Sequence, residues 1–227
     1  MAAVYLLPLR ESDTQFDGWN DQYYGAGNSV LYSDYQATNA ALYGSLEWRL
    51  ARQGTLSLGL RSEWRVADYA DSADPAFPTA REQLLGGNLS WLWRASETRQ
   101  YYLTLARGYK AGGFNIGAAI DPAQRHFGDE ALWNLEAGVR AQSAAGNMHV
   151  QADVYAMRRQ DMQVYSSHQL LPDNPLTYVF FTGNAAHGDN LGLESELRWQ
   201  RDARWSLTAT AALQSTRYLG YQTLDLD

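Results

Sequence analysis

The sequence predicts an all-β fold, an antiparallel meander of about nine strands forming part of a transmembrane β-barrel. Three observations predict it. Apolar and polar residues alternate with period two in segment after segment, the mark of strands with one apolar and one polar face. Short turns alternate with long polar connections. Tryptophans lie on the apolar faces beside the short turns.

The first strand is placed at residues 4–10, and a long polar connection at 14–28. Residues 39–50 then separate Ala40, Leu42, Leu46, Trp48 and Leu50 from Asn39, Tyr43, Ser45, Glu47 and Arg49. A short turn at 51–54 leads into 55–66, where Leu56, Leu58, Leu60, Trp64 and Val66 oppose Arg61, Glu63 and Arg65. A long connection at 70–81 precedes a weaker strand at 85–94, in which Leu92 interrupts the polar side. After the short turn at 95–99, Tyr101, Leu103 and Leu105 share a face, and 110–129 is the next long connection. The strand at 131–141 sets Trp133, Leu135, Ala137 and Val139 against Asn134, Glu136 and Arg140. A short turn at 143–147 joins it to 148–156, followed by a long connection at 164–177. The strands at 190–200 and 205–213 are linked by a short turn at 201–204, and a last connection begins after Tyr218.

Composition narrows the classes. The chain has 227 residues, 45% hydrophobic, with no run near the roughly 18 apolar residues of a membrane-spanning helix. Cysteine is absent, which excludes a disulfide framework and thiolate metal sites. A net charge of −7 argues against a nucleic-acid partner. Two architectures fit the alternation: a two-sheet sandwich with wet outer faces, and a barrel with its apolar face turned to lipid. The turn asymmetry and the placement of Trp48, Trp91, Trp93, Trp199 and Trp205 favour the barrel, because indoles gather at membrane–water interfaces.

Catalytic patterns are weak. His126, His149, His168 and His187 are scattered and form no HExxH motif. Residues 108–113 contain Lys110, the one lysine, but lack phosphate-loop order. Glu194 and Glu196 share a face through ordinary strand alternation. No cofactor is implied.

Several stretches resemble the TonB-dependent outer-membrane receptors. Residues 102–115, YLTLARGYKAGGFN, resemble that family's Y-x-S-x-S-R-G-Y-K-A-G-G-F-N. Residues 130–138, EALWNLEAG, resemble E-T-L-W-N-Y-E-A-G. Residues 155–164 resemble [FY]-x-M-x-R-x-D-x-Q-V, and 184–196 resemble N-A-A-x-x-x-x-x-G-x-E-x-E. The stretches at 43–48 and 58–61 also fit, so the ordered matches cover most of the chain. Ala106 and Asp129 depart from the pattern, and Thr104 keeps only the hydroxyl.

The resemblance implies a 22-stranded barrel, of which residues 1–227 are expected to be an internal part, with the plug domain and the C-terminal strands absent. It implies the outer membrane of a Gram-negative bacterium, and transport rather than catalysis. The implied partners are outer-membrane lipid, the receptor's own plug domain, TonB acting through that plug, and a ferric siderophore or similar nutrient. Aromatic and cationic residues of the long connections would then meet the ligand: Trp19, Tyr23, Tyr24, Tyr109, Lys110, Asn115, Arg125 and His126. Two rival readings are an outer-membrane barrel enzyme, which needs a converging set near His126, Asp129 and Glu130, and a soluble carbohydrate-binding β-sandwich.

Overall fold

A computed structural model describes residues 1–21, 25–50, 53–72, 77–117, 120–171, 173 and 177–220. The strands are β1 (Ala2–Asp21), β2 (Gly25–Leu50), β3 (Gly54–Asp71), β4 (Ala80–Ser96), β5 (Arg99–Lys110), β6 (Gly113–Phe114), β7 (His126–Phe127), β8 (Glu130–Gln142), β9 (Met148–Gln169), β10 (Tyr178–Gln200) and β11 (Ser206–Leu219). Nine form one antiparallel sheet in the order β1-β2-β3-β4-β5-β8-β9-β10-β11, and β6 pairs with β7 as a separate ribbon. The nine-strand meander is therefore as the alternation predicts. Among the described residues the sheet is open, with β1 and β11 at its edges.

Register converts the alternation into two chemically distinct faces. Leu46 pairs with Leu58, Leu58 with Leu89, Leu89 with Leu105, Leu105 with Leu135, Leu135 with Ala156, and Ala156 with Leu191. This apolar row is not a core: Leu135 is 49% exposed and Leu191 is 62% exposed. No second sheet covers it among the described residues, as a sandwich would require. Near the short turns the same face carries the exposed Trp48, Trp91, Trp93, Trp199 and Trp205. Trp93 stacks on Trp91 at 6.3 Å and on Tyr101 at 5.5 Å, one step from the turn between β4 and β5.

Two long connections are mostly or partly taken up by strand. β1 and β2 stay paired from Ala2↔Gly44 to Asp21↔Gly25, through most of the predicted connection at 14–28. β9 and β10 pair up to Gln169↔Tyr178, leaving only 170–177 between them. Above an apolar band both faces of a hairpin are wet, so period-two alternation fades while backbone pairing continues.

The buried residues lie on the polar face, at the long-connection end. Ala37, Ala67 and Ala80 form one register row there. Leu84, 1% exposed, lies one strand across from the buried Glu63. What covers them is the connection between β5 and β8.

Candidate functional site

The 111–129 connection folds onto the polar face because two ladders end at different heights. The β4–β5 ladder stops at Gly87↔Arg107, whereas β3–β4 continues to Ala67↔Ala80. Beyond Arg107, β5 stays paired with β8 alone. Tyr109 thereby reaches across to β3, donating from its hydroxyl to Glu63 at 2.7 Å and accepting from Arg61 Nε at 2.7 Å. Gly86 on β4 makes room: a Cβ there would stand 3.0 Å from the Tyr109 ring and 3.3 Å from the Arg107 carbonyl oxygen. Arg61 also donates to Glu63 and to the Tyr5 hydroxyl, which joins β1, β3 and β5 in one network.

A series of polar clamps then holds the connection down. Arg65 and Glu82 form a 2.5 Å ion pair with side chains only 10% and 8% exposed. The pair grips one residue from both sides, since Glu82 accepts from Gly112 N at 2.8 Å and Arg65 donates to Gly112 O at 3.1 Å. Only glycine fits, because a Cβ at 112 would collide with the Phe127 carbonyl and the Glu82 carboxylate. Gln163 donates to the carbonyls of Ala111 and Gly128. Asn184 accepts from Gly128 N at 2.7 Å and donates to Asp161 O at 2.7 Å. Asp161 has φ 53°, at an irregularity where the β9–β10 register shifts. The buried Glu130 takes Arg159 at 2.6 Å and Gln163 N at 2.9 Å, closing the segment where β8 begins.

Apolar contacts complete the seal. Phe114 stacks on Tyr69 at 5.7 Å and meets Phe77 edge-on at 6.2 Å, above the Ala37–Ala67–Ala80 row. Tyr69 lies above the apolar band. Burial, and then its 3.1 Å bond to the Asp71 carboxylate, push its phenol above the usual range.

The sequence-predicted residues fall into three groups. Asn115, Arg125 and His126 belong to the β6–β7 ribbon and its flanks. Asn115 is buried and acts as a clamp: its amide donates to the Gln124 and Thr182 carbonyls at 2.6 and 2.7 Å and accepts from Thr182 N at 2.7 Å. Arg125 lies over the Phe77 ring at 5.0 Å, and the exposed His126 meets Phe114 at 5.6 Å. Tyr109 is committed to Arg61 and Glu63, whereas Lys110 is exposed and forms no ion pair among the described residues. Trp19 pairs with Gly27 through its backbone, but its side chain, and Tyr23 and Tyr24 entirely, lie outside the described residues.

Sequence reading missed the clamps Arg65, Glu82, Gln163 and Asn184. The signal was present, since Gln163 and Asn184 lie inside recurring motifs. The connection thus exposes Lys110 and His126, with Arg125 half-buried beside them and the acidic Asp121 also exposed. No cluster of three or more His, Asp or Glu side chains that could hold a metal occurs among the described residues.

Comparison with known proteins agrees with this geometry. The pesticin receptor of Yersinia enterocolitica (serotype O:8 / biotype 1B) is 26% identical over 177 residues, covering 75% of this chain and 25% of the relative. The Yersinia pestis pesticin receptor matches equally. The chain thus spans about a quarter of the length of these relatives. Among solved structures, the ferric yersiniabactin uptake receptor FyuA from Yersinia pestis matches with a TM-score of 0.66 and 19% identity, over 96% of this chain and 33% of that one. The copper transporter OprC matches with a TM-score of 0.69 and 13% identity, over 96% and 35%. These structures share the fold, an arc of a large barrel. Residues 7–225 match the family described as TonB dependent receptor-like, beta-barrel, and the chain belongs to that family.

Proposed function

We propose that the chain is one arc of an outer-membrane receptor that imports a scarce nutrient, with a ferric siderophore as the leading substrate. The inward-folded 111–129 segment carries this reading. It narrows the long-connection end of the polar face and presents His126, Arg125 and Lys110 where a bulky anionic chelate would enter. The similarity to a ferric yersiniabactin uptake receptor supports the substrate class. Further strands would close the barrel, and a plug domain would fill it. The groove lined by Gln100, Arg140, Gln151, Glu196 and Arg198, near the short turns, offers that plug a polar wall. TonB would act on the plug. The enzyme reading loses one of its three residues, because Glu130 is held by Arg159 and Gln163.

The test is radiolabelled uptake by the full-length receptor in a strain lacking its own, with ferric phenolate, catecholate and hydroxamate chelates and copper ions offered separately. Saturable uptake of one ferric chelate, abolished without TonB, is the expected result. Removing Lys110 and His126 together should raise the half-saturating concentration about tenfold. Uptake of copper alone, or uptake independent of TonB, would refute the proposal.

A further inference from the structure

Toward the long connections, β9, β10 and β11 expose three aromatic rings outside the lipid-facing row. Tyr165 is 70% exposed, Phe180 54% and Tyr218 65%. Tyr165 and Phe180 stack in parallel, 5.6 Å apart and 3° from coplanar, yet Tyr165 stays open to solvent. Exposed rings of this size cost free energy in water and point to something that covers them.

A β-bulge gathers two of these rings around one cleft. Arg159, Gly188 and Tyr218 form a register row on the polar face. Above it, three steps of β9 (Arg159 to Met162) face two of β10 (Gly188 to Ala186), and Asp161 takes φ 53° within the bulge. The bulge lays the Met162 side chain over Gly188, where a Cβ would stand 2.7 Å from the Met162 sulphur. Met162, 5% exposed, is thereby the floor between Arg159 and Tyr218. The cleft, of about 440 Å³, is lined by Arg159, Met162, Gln163, Val164, Tyr165 and Tyr218. It lies at the mouth: Lys110 pairs with Glu130, the carboxylate that holds Arg159.

The amide and guanidinium groups of the cleft are already engaged. Gln163 donates to the carbonyls of Ala111 and Gly128, and Arg159 donates to Glu130. What the cleft still offers is flat and polarisable: the faces of two tyrosines, a thioether and a guanidinium plane. Each of these favours an aromatic ring, by stacking, by sulphur–ring contact and by cation–π attraction. An aliphatic arm has no face to stack and gains only contact area. We propose that the cleft is an aryl slot, which takes an aromatic ring carried by the imported chelate and reads that ring rather than the metal-binding group. The slot rests on chelate import as the function of the receptor, and adds the chemical class of the arm.

Two ferric chelates with the same iron-binding group test it, since ferric benzohydroxamate carries phenyl rings where ferric acetohydroxamate carries methyl groups. The complete receptor carrying this segment, purified in detergent and titrated by calorimetry, should bind the benzohydroxamate complex about tenfold more tightly. Replacing both rings (Tyr165→Ala with Tyr218→Ala) should abolish that preference and leave acetohydroxamate affinity unchanged. Tyr165→Phe with Tyr218→Phe should keep it, because the ring faces and not the hydroxyls hold the ligand. Equal affinity of the wild type for the two chelates, binding of neither, a preference that survives the alanine changes, or its loss in the phenylalanine variant would each overturn the slot. The uptake assay above judges chelate import on its own, so the slot can fail while import stands. Should the double alanine variant fail to assemble, each single alanine change decides on the same criterion: a reduced preference supports the slot, and an unchanged one refutes it.

Discussion

Asn115 shows what a single side chain contributes to the mouth of this sheet. Its buried amide makes three bonds to backbone groups of Gln124 and Thr182. Asn115→Ala would orphan those groups and cost about 2 kcal/mol locally, raising amide exchange across residues 113–127 roughly 30-fold. Unchanged exchange would show that other contacts hold the ribbon. The Arg65–Glu82 pair makes a different prediction. Arg65→Met leaves a buried carboxylate unpaired and should cost about 3–5 kcal/mol in unfolding of the complete receptor. Arg65→Met combined with Glu82→Leu should cost far less than the sum of the two single changes, measured as a double-mutant cycle. Neither role is legible in sequence. Asn115 stands out as a motif residue, but its partner Thr182 is 67 positions away. Glu82 and Gly112 are 30 apart. Alternation reports which face a side chain occupies, not what folds down upon it.

Among the elements, legibility follows the solvent. β3, β8 and the lower parts of β2, β9 and β10 run between lipid and a polar interior, so their residues alternate and could be read directly. The upper parts of β1, β2, β9 and β10 have water on both sides. Ser12 and Asp34, for example, share the outward face with Arg10 and bond one another there. Such hairpins are held by backbone pairing, which leaves no hydrophobic signature. The reach of Tyr109 and Gly112 over β4 was equally hidden, because it depends on a ladder ending early rather than on residue type. Gly112 is the point at which this arrangement is most vulnerable. Gly112→Ala should displace the Glu82 carboxylate or the Phe127 carbonyl, at a cost of about 1–3 kcal/mol. Protease sensitivity at 111–129 in the assembled receptor would report the displacement, with β1–β2 staying intact as an internal control.

For the molecule as a whole, the exposed leucines and the tryptophans make one physical claim, that this face meets hydrocarbon. Leu193 lies near mid-height, paired with Val154. Leu193→Arg should destabilise the reconstituted receptor by about 2–4 kcal/mol, while Glu194→Arg, on the opposite face, should change stability much less. Equilibrium unfolding in lipid vesicles distinguishes them. In the same vesicles, quenchers near the headgroups should dim Trp48, Trp91, Trp93, Trp199 and Trp205 more than quenchers at the bilayer centre. The reverse order would place these tryptophans away from the membrane–water interface.

The clamps over 111–129 also impose a timetable. Their anchors come from β3, β4, β9 and β10, and two of them, Thr182 and Asn184 on β10, lie more than 50 residues beyond the segment. If strands are laid down in chain order, the segment hangs loose through the arrival of β8 and β9 and locks only when β10 docks. A chain interrupted before β10 would keep its mouth unlatched and open to proteolysis. Latching therefore marks the moment at which this arc of wall is complete.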